Sequence, residues 1–145
     1  MRERIHSPSV RRVNDGDTIL PGMTAVASPG HTPGHLLFYV DLPGQAILFT
    51  GDAAKNRAEL LSGSVHDTCY VQASSDTLKR IWDIWKRVPG TPLVPGHDLG
   101  MKLNESGDPF YVGERLTAIN AWFGDTLEPI RINLCCREHA ARTPA

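Results

Sequence analysis

The 145-residue chain lacks any run of about 18 apolar residues, so its sequence supplies no membrane-spanning helix. Residues 1–10 carry charge but no apolar stretch, and the expectation is that no secretory signal is present. An excess of charge is lacking too. Fifteen Lys and Arg stand against 16 Asp and Glu, a net charge of −1, which gives no electrostatic case for binding nucleic acid or an anionic membrane face. Cysteine is scarce. Cys69, Cys135 and Cys136 cannot make a paired framework, and two of them are neighbours. Reduced thiols in a cytoplasmic protein are the expectation. Dinucleotide-binding glycine patterns, Walker loops and Gly-x-Ser-x-Gly elbows are missing, which removes support for phosphate cradles and for a serine nucleophile.

Glycine and proline, by contrast, are plentiful, at 13 and 11 residues, and they point to tight turns and short strands. Residues 1–12 are polar, basic and aperiodic and read as a loose arm. After the turn signal at Asn14–Asp17, strands are expected at 18–20, 23–27, 36–41 and 45–50, separated by Pro21-Gly22 and Pro43-Gly44. The period then changes. Leu78, Ile81, Trp82, Trp85 and Val88 share one helical face, with Ser74 or Ser75 as N-cap and Pro89-Gly90 as the stop. A strand at 92–94 follows. Leu116, Ile119, Trp122 and Phe123 predict a second helix over 112–123, and residues 135–145 read as a frayed tail. The domain is therefore expected over 13–134. Its class is α+β, with one mainly antiparallel sheet and helices on one face.

Three polar residues stand just past strand ends, each beside glycine: His31, Asp52 and His97. Imidazole nitrogen and carboxylate oxygen are the usual ligands of zinc and similar ions, and strand ends of one sheet edge converge in space. A catalytic zinc needs three protein ligands and an open position for water. Taken singly, a turn histidine is more often solvated or capping, and an Asp after Gly is more often a turn residue, so spacing leaves both readings open. His66-Asp67 reads as a structural surface pair. Cys135-Cys136 with His139 lacks metal-ligand spacing and reads as part of the tail.

Gly30-His31-Thr32-Pro33-Gly34-His35, Thr50-Gly51-Asp52 and Pro95-Gly96-His97-Asp98 together resemble the second half of the metallo-β-lactamase superfamily, in its group of N-acyl-homoserine lactonases and glyoxalase II-like hydrolases. The resemblance covers roughly residues 13–125. It implies half of an αββα sandwich and a two-zinc centre, with His31 on the first metal, Asp52 bridging and His97 on the second. Water activated at that centre would hydrolyse a small-molecule ester, thioester or lactone. His35 is implied to pack beside the ligands or orient them rather than bind metal. The family's His-x-His-x-Asp-His motif is absent: His6 is isolated and no other histidine precedes His31. Neither metal then receives three ligands. The lactonases' tyrosine after the bridging Asp is also missing. Lys55 and Arg57, which follow Asp52, are expected in solvent, with a substrate-facing role as the alternative. The chain thus reads as a C-terminal half, cut short or in need of a partner. The alternative is a catalytically inactive remnant or an interaction module, and a homodimer would cover the apolar sheet face that a half-sandwich exposes.

Overall fold

A computed structural model describes residues 10–113 and the backbone of 118–121 and 130–133. The chain divides into two compact units, Met1–Val112 and Gly113–Ala145.

The first unit is built on a seven-stranded sheet in sequential order: β1 (Thr18–Leu20), β2 (Met23–Ala27), β3 (Leu36–Leu42), β4 (Gln45–Gly51), β5 (Leu93–Pro95), β6 (Met101–Leu103) and β7 (Pro109–Tyr111). All neighbours are antiparallel except β4 and β5. That parallel pair requires a crossover, and α1 (Arg57–Ser62) and α2 (Val71–Arg87) supply it. The Gly/Pro turns read from sequence fall where strands β1 to β4 reverse, so the first four strands sit within a residue of their expected bounds.

Alternation along the strands sorts the sheet into two faces. Val26 opposes Leu37, and Tyr39, Leu48, Leu93, Met101 and Tyr111 form a continuous cross-strand row. This row meets Leu60 of α1 and Leu78, Ile81 and Trp85 of α2 in one core cluster, so both helices cover the same face. The other face carries Phe38, Val40, Ile47, Phe49 and Val94.

The α2 stripe is buried as its spacing predicts at Leu78, Ile81 and Trp85, whereas Trp82 is partly buried, donates its indole N–H to the Leu60 carbonyl at 3.0 Å and lies under Lys86. Two helix limits differ from expectation. The helix begins at Val71 after Tyr70, which makes no side-chain cap, and Ser74 is buried inside its first turns. The cause is tertiary: the Tyr70 N–H donates to the Gly30 carbonyl, and the Ser74 hydroxyl pairs with Thr68. At the other end Val88 leaves the helix and is exposed.

The second unit contains the antiparallel pair β8 (Ala118–Ala121) and β9 (Ile130–Asn133). The helix expected over 112–123 is therefore corrected to a strand at 118–121. Short apolar runs fit either period, and here pairing with β9 decides. Leu116, Trp122, Phe123, Cys135, Cys136 and His139 lie outside the described residues, as do most of the arm and the whole of the tail. No helix among the described residues is long and apolar enough to cross a membrane.

Candidate functional site

His31 lies on the loop between β2 and β3, Asp52 follows β4, and His97 follows β5. The last two stand at the carboxyl ends of the parallel pair, where the two chains leave the sheet side by side. The β2–β3 loop is closed by a Ser28 N–H to His35 carbonyl bond of 2.9 Å. Gly30 lets this loop lie against α2: its φ is +141°, and a Cβ there would stand 2.3 Å from the Ser74 hydroxyl oxygen and 2.6 Å from the Ser74 backbone.

The three side chains come together. Asp52 Oδ2 is 3.3 Å from His31 Nε2, and Asp52 Oδ1 is 2.9 Å from His97 Nε2. One carboxylate thus spans two imidazoles, each oxygen facing a different ring. Backbone bonds fix the approach of β5 to β4: Gly96 donates to the Gly51 and Ala54 carbonyls, and the His97 N–H donates to the Lys55 carbonyl at 2.8 Å. Gly96 is needed here, because an added Cβ would meet Asp52 Oδ1 and the Gly51 carbonyl oxygen, each at 2.8 Å.

The rings are oriented from behind. His31 Nδ1 is 3.0 Å from the Asp67 carbonyl oxygen. A carbonyl only accepts, so Nδ1 carries a proton, and Nε2 is left facing Asp52. Asp67 holds φ at 52°, a left-handed conformation uncommon outside glycine. His35 is half-buried, with Nδ1 at 2.7 Å from the Ser28 hydroxyl and its ring edge-on to His31 at 6.1 Å. Burial pushes its imidazole below the ordinary range; the neighbouring His31 adds to this and Asp52 opposes it.

The surroundings correct the expectation that Lys55 and Arg57 lie in solvent. Lys55 is not a solvated side chain. It is largely buried, pairs with Glu59 Oε1 at 3.7 Å and donates to the His66 carbonyl. Arg57 donates through Nε to the Pro109 carbonyl and stacks over Tyr111. Asp98 accepts from the Arg57 N–H at 3.2 Å and the Tyr111 hydroxyl at 2.9 Å, which pins the residue after His97 to both α1 and β7. An available signal was Asn56-x-x-Glu59: Asn56 Oδ1 does cap α1, accepting from the Glu59 N–H at 3.0 Å.

The donors can be counted against a metal centre. Each half of the Asp52 carboxylate faces one imidazole, so either flank offers two donors, below the three a catalytic zinc requires. Among the described residues no group of three or more His, Cys, Asp or Glu side chains could hold a metal ion. These residues alone do not fit a complete centre.

Similarities to known proteins bear on the same residues. Hydroxyacylglutathione hydrolase from Hyphomonas neptunium is 33% identical over 122 residues, which are 82% of this chain and 38% of that protein. An N-acyl homoserine lactone hydrolase, solved with N-hexanoyl-L-homoserine at its catalytic metal centre, superposes with a TM-score of 0.57 at 22% identity, over 68% of this chain and 40% of that one. The dizinc quorum-quenching lactonase AidC gives 0.59 at 12% identity, over 74% and 39%. This chain spans about two fifths of the length of these proteins. The family model of the metallo-beta-lactamase superfamily matches residues 2–97, a segment that carries all three converging side chains and well over half of the sequence, and the chain belongs to that superfamily.

Proposed function

We propose that the chain carries the carboxyl-terminal part of a metal-dependent hydrolase, supplying His31, Asp52 and His97 to a dinuclear zinc centre whose remaining donors come from another polypeptide segment. The observation that carries this reading is the Asp52 carboxylate, with one oxygen turned to each of two imidazole Nε2 atoms. The substrate class is a small carboxylic thioester or ester ahead of a lactone. The relative at 33% identity is named for a thioester substrate. No tyrosine stands among residues 53–57, directly after Asp52, to engage a lactone carbonyl, and Lys55 is committed to Glu59.

The test is zinc content by plasma emission, with turnover of a thioester, p-nitrophenyl esters and a homoserine lactone. It compares the 145-residue chain alone with the chain joined to or mixed with a segment carrying His-x-His-x-Asp-His. The chain alone is expected to bind zinc weakly and to turn over nothing, and the completed protein to bind two zinc ions and favour the thioester. Strong zinc-dependent turnover by the chain alone would sink the incomplete-centre reading. Failure of the completed protein to bind zinc would sink the hydrolase reading.

A second reading, an interaction or dimerisation module without chemistry, is favoured by a separate observation. The sheet face away from the helices is apolar along Phe38, Val40, Ile47, Phe49 and Val94, and Phe49 is 39% exposed.

A further inference from the structure

Glu59 is 3% exposed, on a helix of only six residues, and belongs to none of the three motifs. A carboxylate buried that deeply must be compensated, and the groups that compensate it show what it connects. Oε2 accepts the Lys55 N–H at 2.8 Å. Oε1 accepts the His66 N–H at 3.2 Å and faces Lys55 Nζ at 3.7 Å. The same ammonium donates to the His66 carbonyl. Two main-chain segments are thereby clamped to one side chain, and each holds one of the site's histidines. Lys55 presents its carbonyl to the His97 N–H, and Asp67, next to His66, presents its carbonyl to His31 Nδ1. Lys55 also lies three residues beyond Asp52.

We propose that Glu59, acting with Lys55, is the positioning residue of the His31–Asp52–His97 site, holding His31 by its ring and His97 by its main-chain N–H through backbone carbonyls on either side of the carboxylate. The proposal deepens the hydrolase reading, in that it takes these three side chains as the working site. The direct physical consequence concerns His31. Its Nδ1 proton is held by the Asp67 carbonyl, and Asp67 adopts a left-handed backbone that an untethered aspartate leaves readily. Glu59 replaced by Gln keeps its shape but has one acceptor oxygen for two N–H groups on different segments. One segment is then released.

The experiment reads ring nitrogens rather than turnover. Long-range proton–nitrogen NMR on the full chain shows which nitrogen of each imidazole carries a proton. The wild type is expected to show His31 fixed as Nδ1–H. Glu59→Gln is expected to lose that fixed signature and show an averaged ring. Lys55→Met, which removes the ammonium but no backbone group, is expected to do the same, and it is decisive if Glu59→Gln fails to fold. Asn56→Ala weakens α1 by removing its cap but leaves the clamp atoms in place, and is expected to keep the His31 signature despite a lower Tm. A His31 ring that stays fixed in both Glu59→Gln and Lys55→Met overturns the proposal. So does an equal disturbance in Asn56→Ala, which would make the role one of helix stability alone. Because the readout uses neither metal nor substrate, a failure of the hydrolase reading would appear in the zinc and turnover assays and leave this result standing.

Discussion

Asp52 makes the shortest argument about this protein, because a single side chain divides its two oxygens between two rings. In a completed protein, Asp52→Ala is expected to lower turnover by several orders of magnitude and to cut zinc content measured by plasma emission. His35→Ala is expected to cost less, since His35 reaches the Ser28 hydroxyl and the edge of the His31 ring. Gly96→Ala tests the same spot sterically. The new methyl must displace either Asp52 Oδ1 or the Gly51 backbone, and overpacking of this kind costs about 1–3 kcal/mol. A lower Tm together with lost zinc uptake is expected, and an unchanged Tm would show that the β4–β5 exit is looser than its hydrogen bonds imply. At this scale the sequence exposes the glycine-flanked His31, Asp52 and His97, because glycine marks close backbone approach. It hides Asp67, Lys55 and Glu59. A carbonyl that orients a ring has no residue signature, and a lysine followed four residues later by a glutamate reads as an ordinary exposed helix pair until the loop closes over it.

Among the elements, α2 does most of the packing. Trp85→Ala is expected to cost about 3–5 kcal/mol, measured by urea unfolding, because the ring is fully buried and its indole N–H is spent on the Thr91 carbonyl. A clasp joins α2 to the end of β2. Asp15 accepts the Ala27 N–H at 2.7 Å and pairs with Arg80, which also donates to the Ala27 carbonyl. These bonds, the Ala27 N–H first, hold the Asp15 carboxyl below its ordinary 3.8. A depressed carboxyl stabilises the fold above its unfolded value and loses that contribution as pH falls through its folded value. Asp15→Asn should therefore lower Tm at pH 7, with the gap closing below about pH 4; a gap that persists at pH 3 would assign the effect to shape. Element length governs what could be read beforehand. The five-to-seven-residue strands and the 17-residue α2 show their periods, and the three-residue β1 and β5 are readable from the turn residues beside them, whereas α1, β6 and β7 are too short to display a period, and the 118–121 segment displays the wrong one.

At the largest scale, the first unit carries two unlike sheet faces, one under the helices and one lined by Phe38, Val40, Ile47, Phe49 and Val94. Under the proposed incomplete-centre reading, the isolated chain is expected to self-associate in light scattering, and Phe49→Lys to shift it toward monomer at unchanged helix content. A monomeric wild type would remove the need for any cover on that face. The parallel pairing of β4 with β5 also bears on time. Strands β1 to β4 close through tight reversals, whereas the Asp52–His97 contact joins residues 45 apart in sequence. Bringing such distant ends together costs about 3 kcal/mol of chain entropy before any contact repays it. The hairpins are therefore expected to fold first and the crossover to dock last, which would form the histidine–carboxylate constellation at the final step of folding. In stopped-flow refolding, burial of Trp85 should lag the formation of strand structure, and a chain arrested earlier holds a sheet without a site.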